Sequence, residues 1–411
     1  MERNSKKILF VCQYFYPETF RGNDIAFHFV EKGYNVHVIT GIPNYPAGSF
    51  YPGYGLFKKS SEEVKGVKVT RLPIFPRGNN KIMLILNYFS YFIVGCIYML
   101  WHALFHRYDL VFCQQLSPVM MSMPAVLYKK MRNVPLYTWV LDLWPESLTA
   151  AGGINNKKVL AFFNWFVKVE YKWSDKILIS SRSFDKKIMA YGNYKGKIEY
   201  YPQWSDGVIL PHKLSSDFSL PSLPNGFIIM FAGAVGEAHG FECNMQAALL
   251  TKEYKNIKWV ILGDGRKLSW VKQFIKENKL EDSVFTLGRF PSETMPLFFE
   301  KADVMLVSLN DSPLFNLYAP AKISSYMASG RPIIACLNGE GGDVVNEANC
   351  GWHVKAGDAK ALASLVIELS QIDKAVLDTK GANGLKYYNE NFEKVRCLRK
   401  LDEIMGLESN I

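Results

Sequence analysis

Short, wholly apolar runs bounded by breakers recur along the chain: KKILFVC, NVHVITG, YDLVFCQ, PLYTWVLD and KILISS in the first half, then GFIIMFA, KWVILG, VFTLG, DVMLVSL and IIACL in the second. Runs of this length without alternation predict strands covered on both faces. Most are separated by stretches of helical period such as NDIAFHFVEKG, SPVMMSMPAVLYKKM and AKISSYMAS. Strand–helix–strand alternation of this kind means parallel sheets with right-handed crossovers. The pattern starts twice, with a Pro/Ser-rich, poorly periodic stretch at 206–226 between the two series. The expected organisation is therefore a Rossmann-like domain at 1–205, a linker at 206–226, and a second Rossmann-like domain at 227–385. A C-terminal helix at 386–411 is expected to pack back on the first domain. A chain of 411 residues is also too long for one core.

In parallel sheets, ligands bind beyond the carboxyl ends of the strands. The stretch 303–350 supplies two such ends. DVMLVSL gives way to a loop at 311–321, Pro320 opens the helix AKISSYMAS, and Gly330 with Pro332 leads into IIACL. A second loop at 338–342, NGEGG, precedes the helix DVVNEA. Both loops flank helix N-termini, which attract anions. Lys322 sits in the first helical turn, where the macrodipole disfavours a cation unless an anion is bound there. A solvated surface lysine is the other reading. Pro320 and Ala321 line the same helix start. Two further strand–glycine-turn–helix units, FAGAVGEAHGFE with Gly233 and His239, and ILGDGRK with Gly263, Asp264, Gly265 and Arg266, suit close approach of a phosphate or nucleotide. Arg289 follows the strand VFTLG, and Glu340 lies in NGEGG.

The first half offers a different chemistry at its carboxyl edges. The loop QYFYPETFRG and the helix start after it carry Tyr16, Glu18, Arg21, Asn23 and Asp24; Asn23 or Asp24 is also a plausible N-cap. IPNYPAGSFYPGYGLF, with Asn44 and Tyr45, reads as a substrate-covering loop or a packed structural one. Asp142 and Glu146 come just past PLYTWV, where carboxylates act as bases or grip hydroxyls; Glu146 beside Pro145 also fits a helix start.

Two stretches change the picture of the surroundings. Residues 82–105 are nearly all apolar and long enough to span a bilayer. A span would divide strands of one sheet between the two sides of a membrane, and Asn87, Ser90 and His102 interrupt the run. A helix covering the sheet with one side at a lipid interface is expected, with full burial as the alternative. KKVLAFFNWFVKVEYKWSDK interleaves aromatics with lysines, the make-up of a helix in a headgroup region. A formal charge of +10 and a pI near 9.0 likewise suggest an anionic partner. The seven cysteines form no C-x-x-C pair, and MERNSKK runs straight into a strand rather than a signal peptide, so reduced thiols in a cytoplasmic protein are expected. His102 and His106 have metal-compatible spacing but no HExxH-like context.

The order FYPETFRGNDIA, TGIPNYPAGSFYPGY, LDLWPES, FAGAVGEAHGFE, ILGDGRK, LGRFPSETMP and SLNDSPLFNLYAPAKISSYMASGRPIIA spans nearly the whole chain. Together these stretches resemble the WbuB/WcaI-type sugar transferases of glycosyltransferase family 4. The resemblance implies a GT-B fold, α/β, with two Rossmann-like domains facing a central cleft. It implies transfer of N-acetyl-L-fucosamine from its UDP donor to a polyprenyl-diphosphate-linked saccharide, in O-antigen, capsule or exopolysaccharide synthesis. The enzyme would work peripherally on the inner face of the cytoplasmic membrane.

Several family positions differ. The turn after the first strand of the second domain carries an Arg and a Lys in the wider family; here it reads GAVGEAH, with Glu237 and His239. The paired glutamates before Met-Ala-x-Gly are replaced by Leu317 and Ser325. Donor binding then falls to Lys322, Arg289, Arg266, His239, the glycine turns and helix N-termini, with Glu340 taking a sugar or ribose contact or standing as a loop residue. Asp142 is the first choice for a base, with Asp24 and Glu146 behind it. Tyr16, Glu18, Arg21, Asn23, Asn44 and Tyr45 are the expected acceptor contacts. No Asp-x-Asp occurs, so no metal or other cofactor is expected. A nucleotide-sugar epimerase of the same architecture would need no membrane-facing helix. A non-catalytic membrane- or polyanion-binding scaffold would leave the glycine turns and edge carboxylates without purpose.

Overall fold

The computed structural model describes residues 5–205 and 219–407, so the expected linker lies outside the described residues from 206 to 218. Contacts divide the chain into two units, Met1–Tyr201 with Leu398–Ile411, and Pro202–Cys397.

The first unit is built on β1 (Lys7–Val11), β2 (Asn35–Gly41), β3 (Ser61–Val64), β4 (Val67–Leu72), β5 (Leu110–Gln115), β6 (Leu136–Val140), β7 (Lys176–Ile179) and β8 (Ile198–Tyr200). They form one sheet in the order β3-β4-β2-β1-β5-β6-β7-β8, parallel except for the hairpin β3–β4. The apolar runs account for β1, β2, β5, β6 and β7, of which β1 and β5 are buried on both faces. The hairpin is an element the apolar pattern did not predict. Its strands, SEEV and VKVTRL, mix charged residues with valine and meet at Lys65–Gly66, both with positive φ, as a two-residue hairpin turn requires.

Helix Lys81–Phe105 carries its polarity on the inside. Asn87 and His102 are buried, and Asn87 exchanges hydrogen bonds with Gln13 Nε2 (2.8 Å) and the Phe75 carbonyl (2.6 Å). Ser90 Oγ accepts the Phe75 N–H at 3.1 Å. The side left uncovered is apolar: Ile82 (71% exposed), Ile85, Ile93, Ile97 (63%), Leu100, Trp101, Leu104 and Phe105. Full burial of this helix is thereby excluded. In helix Lys157–Trp173, Phe162 and Trp165 are exposed, whereas Phe163 and Phe166 pack inside.

Helix Arg21–Glu31 begins two residues earlier than expected. Phe20 takes the N-cap place with no side-chain cap, so neither Asn23 nor Asp24 caps it. Towards its end His28 Nε2 meets Asp402 at 2.9 Å, within the same unit.

The second unit contains β9 (Phe227–Ala232), β10 (Ile257–Leu262), β11 (Val284–Gly288), β12 (Val304–Ser308), β13 (Ile333–Cys336) and β14 (Gly351–Val354). This all-parallel sheet has the order β11-β10-β9-β12-β13-β14. Two apolar clusters, one on each face, centre on residues such as Phe231 and Trp259, and Met230 and Met327. Helix Ala321–Ala328 follows Pro320 as expected. The helix after β13 starts at Glu340 rather than Asp343, which places the glycines of NGEGG inside its first turn. The C-terminal stretch expected as one helix at 386–411 is carried by two, Lys374–Asn391 and Lys394–Met405.

Candidate functional site

At the carboxyl edge of the second sheet, Gly233 follows β9, Gly263 follows β10, and the helix after β12 brings in Lys322. Lys322 Nζ is enclosed, has no hydrogen-bond partner, and stands 3.7 Å from the centroid of the Phe231 ring. Burial pushes its ammonium down to about 7. A Cβ on Gly233 (φ +136°) would come within 2.6 Å of Lys322 Cε. Glycine therefore keeps the slot the lysine occupies open. A Cβ on Gly263 would fall 1.8 Å from the Gly233 carbonyl oxygen, so two backbone turns are held in direct contact. His239 also meets Phe231, its ring edge-on at 5.9 Å and its Nδ1 buried without a partner. Burial, and then the charge of Lys322, hold that imidazole down at about 4. An unpaired buried cation beside an unpaired ring nitrogen costs free energy until an anion or hydrogen-bonding ligand arrives.

A cavity of about 730 Å³ opens beside these groups, lined by Gly233, Gly263, Asp264, Arg289, Phe290 and Met295. Asp264 accepts the Gly265 N–H at 2.7 Å, while Arg266 is exposed. Pro320 caps the helix that carries Ala321 and Lys322. Glu340 is buried at the first position of its helix, not an exposed loop residue. Gly339 before it packs against the Asn316 carbonyl, where a Cβ would stand 2.0 Å away. Lys267, in the loop after β10, pairs with Glu237 at 3.0 Å and with Glu242. Neither Phe231 nor Lys267 was marked by the sequence pattern.

The first sheet's carboxyl edge carries the carboxylates. Asp142 follows β6, and its Oδ2 accepts the Ser117 hydroxyl at 2.8 Å; Trp144 Nε1 in turn donates to Ser117 Oγ at 2.9 Å. Burial raises the Asp142 carboxyl above its ordinary range. Glu146 opens helix Glu146–Gly152 with its Oε2 enclosed and unpartnered. Asp24 is half-buried, 3.8 Å from Arg21. Glu18 is buried and pushed up to about 7 by that burial, against three backbone N–H donors from Phe15, Asn44 and Tyr45. Asn23 bridges Tyr16 N–H and the Glu18 carbonyl, and Asn44 Oδ1 accepts the Arg77 N–H. Glu18, Asn23 and Asn44 thus hold the two loops to each other, and Tyr16 and Tyr45 remain on the outside as exposed rings.

His102 and His106 stack at 4.0 Å, but His102 Nε2 bonds to Tyr108 Oη at 3.0 Å. Among the described residues no group of three potential metal ligands gathers anywhere.

Residues 226–371 match the family model described as glycosyl transferases group 1. Among curated proteins, the probable glycosyltransferase WbjE of Pseudomonas aeruginosa is 24% identical over 67% of this chain and 71% of its own length. The chain is a glycosyltransferase. The amylovoran biosynthesis glycosyltransferase AmsK of Erwinia amylovora is 26% identical over 43% of this chain and 44% of its own. In three dimensions the transferase resembles Anabaena Alr3699/HepE, solved with UDP and glucose, at 14% identity. That likeness has a TM-score of 0.66 and covers 98% of this chain and 99% of the other. The fold is GT-B, two Rossmann-like α/β domains.

Proposed function

We propose that the transferase moves a sugar from a UDP-sugar to a saccharide carried on polyprenyl diphosphate, in the synthesis of a bacterial surface polysaccharide. The sugar we assign is N-acetyl-L-fucosamine, following the sequence resemblance to the WbuB/WcaI type. The observation that carries the reading is the enclosed, unpartnered Lys322 on Phe231, beside the Gly233 and Gly263 turns and the 730 Å³ cavity. A diphosphate leaving group gives that lysine its partner, and backbone N–H groups of the glycine turns meet the remaining charge. The solved UDP complex of HepE supports a uridine nucleotide as donor. AmsK, named for amylovoran biosynthesis, supports a polysaccharide as product. Asp142 serves as the base or as the grip on the acceptor hydroxyl, since a carboxyl raised by burial is poised for proton transfer. The sequence contains no Asp-x-Asp, and the reading is metal-independent.

The acceptor's membrane is the cytoplasmic leaflet. Support comes from helix Lys81–Phe105, whose polar residues face the protein while isoleucine, leucine and tryptophan face out, the reverse of a water-exposed helix. The +10 charge complements anionic lipid. Calorimetric titration with UDP, GDP and dTDP in EDTA tests the donor half. Preference for UDP without metal is expected; binding of none of the three would overturn the donor assignment.

A further inference from the structure

Arg77 is a half-buried cation that the sheet edge builds but does not neutralise. Its Nη1 donates to Tyr14 Oη (3.0 Å) and Tyr88 Oη (3.2 Å), and its guanidinium lies over the rings of Tyr45 (5.3 Å) and Tyr88 (5.7 Å). Its own N–H is fixed by Asn44 Oδ1 at 2.9 Å, and Tyr14 is packed against Phe20 and Tyr45. Among the described residues no carboxylate lies within ion-pair distance of it, and its Nε and Nη2 find no protein partner. Arg71 shows the contrast within the same segment: its guanidinium is buried and paired with Glu62. Phenols and rings orient a guanidinium and shed water from it, but they leave its charge unmatched.

Three neighbours indicate what would match it. Asn80 caps the N-terminus of helix Lys81–Phe105 three residues after Arg77, and the first turn of that 25-residue helix holds no acidic residue. From this end the exposed apolar stripe runs away through Ile82, Ile85 and Leu86. Asp142 is close enough for its charge to bear on the Tyr88 hydroxyl.

We infer that Arg77, framed by Tyr14, Tyr45 and Tyr88, binds a phosphate of the acceptor's isoprenoid carrier, with the carrier's tail on the apolar stripe of the helix. The inference rests on the reading of the chain as a transferase to a lipid-linked saccharide. A guanidinium with its free Nε and Nη2 edge matches two phosphate oxygens, which a neutral sugar cannot offer. Glu18, Asn23 and Asn44 then act one step behind, holding the two loops that carry Tyr14, Tyr45 and the Arg77 backbone.

The test is equilibrium binding of farnesyl diphosphate and of farnesol to the full chain in neutral detergent, with UDP titrated separately. Farnesyl diphosphate should bind at least tenfold more tightly than farnesol. Arg77→Gln should erase that preference and leave UDP affinity unchanged. Tyr88→Phe, which keeps the ring, should weaken it several-fold. Equal binding of the two lipids by the wild type, an undiminished preference in Arg77→Gln, or competition by UDP would overturn the inference. So would equally tight binding of a short-chain phosphatidylglycerol, which would make this a site for phospholipid headgroups. Failure of UDP to bind would instead remove the donor assignment, and the lipid measurement would still be read on its own.

Discussion

Lys322 gives the donor site a protonation signature. In the empty protein burial holds its ammonium at about 7 against an ordinary 10.5. A diphosphate needs the charged form, so binding must draw a proton from solution. The uptake is about half a proton at pH 7 and about nine tenths at pH 8 if the bound lysine is fully charged. Unfolding returns Lys322 to 10.5, so between pH 7 and 10.5 the unfolded chain holds the extra proton and the lysine's penalty shrinks as pH rises. At about 1.36 kcal/mol per unit, the penalty is on the order of 4 kcal/mol at pH 7 and 3 kcal/mol at pH 8. Lys322→Met keeps the stem on Phe231 and removes the charge. The variant should melt at a higher temperature than the empty wild type. It should also lose roughly 10- to 100-fold in UDP affinity, the value of about 1.5–3 kcal/mol for hydrogen bonds to a charged group. The assay is titration calorimetry at pH 8 in buffers of different ionisation enthalpy, where the slope of observed heat gives protons taken up. His239 is the other titratable group against Phe231, and with its imidazole held at about 4 it contributes nothing to uptake at pH 8 unless the ligand raises it. His239→Gln separates the two. A zero slope in the wild type, or the same slope in Lys322→Met, would refute the argument.

Three further outcomes follow from the first unit. Asp142→Asn should abolish transfer with UDP affinity unchanged, measured by product formation beside calorimetry; surviving transfer would remove Asp142 as the base. Phe162→Ser with Trp165→Ser should weaken co-sedimentation with anionic vesicles at unchanged melting temperature, whereas Phe163→Ser should lower the melting temperature by creating a core cavity, since Phe163 is only 9% exposed. Undiminished vesicle binding by the double variant would take that helix off the membrane. Burial, and then neighbouring cations, hold His37 at about 3 and His102 at about 4, both below the ordinary 6.5. Their contribution to stability is complete above pH 6.5 and falls on acidification towards pH 4, by about 1.4 kcal/mol per unit for each. Denaturant midpoints that stay level from pH 7 to pH 5 would show that these rings are solvated.

What the sequence made legible was whatever a local signal encodes. Pro320, Gly330 and Pro332 punctuate β12, its helix and β13 so firmly that the strand ends and Lys322 could be placed by reading alone. Helix Lys81–Phe105 was legible to within a residue because only isolated polar residues interrupt its apolar run. Yet its polar residues looked like interruptions of a lipid face when they are the packed face. Periodicity cannot tell inside from outside when most of the helix is apolar. The hairpin β3–β4 escaped because its valines are spaced by charges on an edge that needs little apolar cover. Site chemistry is harder again, since it is made by contacts between distant segments. Lys322 was a lysine at a helix start until Phe231 and Gly233 enclosed it. Lys267 reaches the GAVGEAH turn from the next loop, and there Glu237 and Glu242 already match its charge. Arg77 was unremarked among prolines and glycines, and only the joining of residues 14, 44, 45 and 88 around it turns it into an unmatched charge. An enclosed, unpartnered ammonium such as Lys322 costs stability as it stands, and the cost persists in a folded chain when a ligand offsets it. We assign one cation in each domain to the two phosphate-bearing substrates proposed above, Lys322 to the donor and Arg77 to the acceptor's carrier.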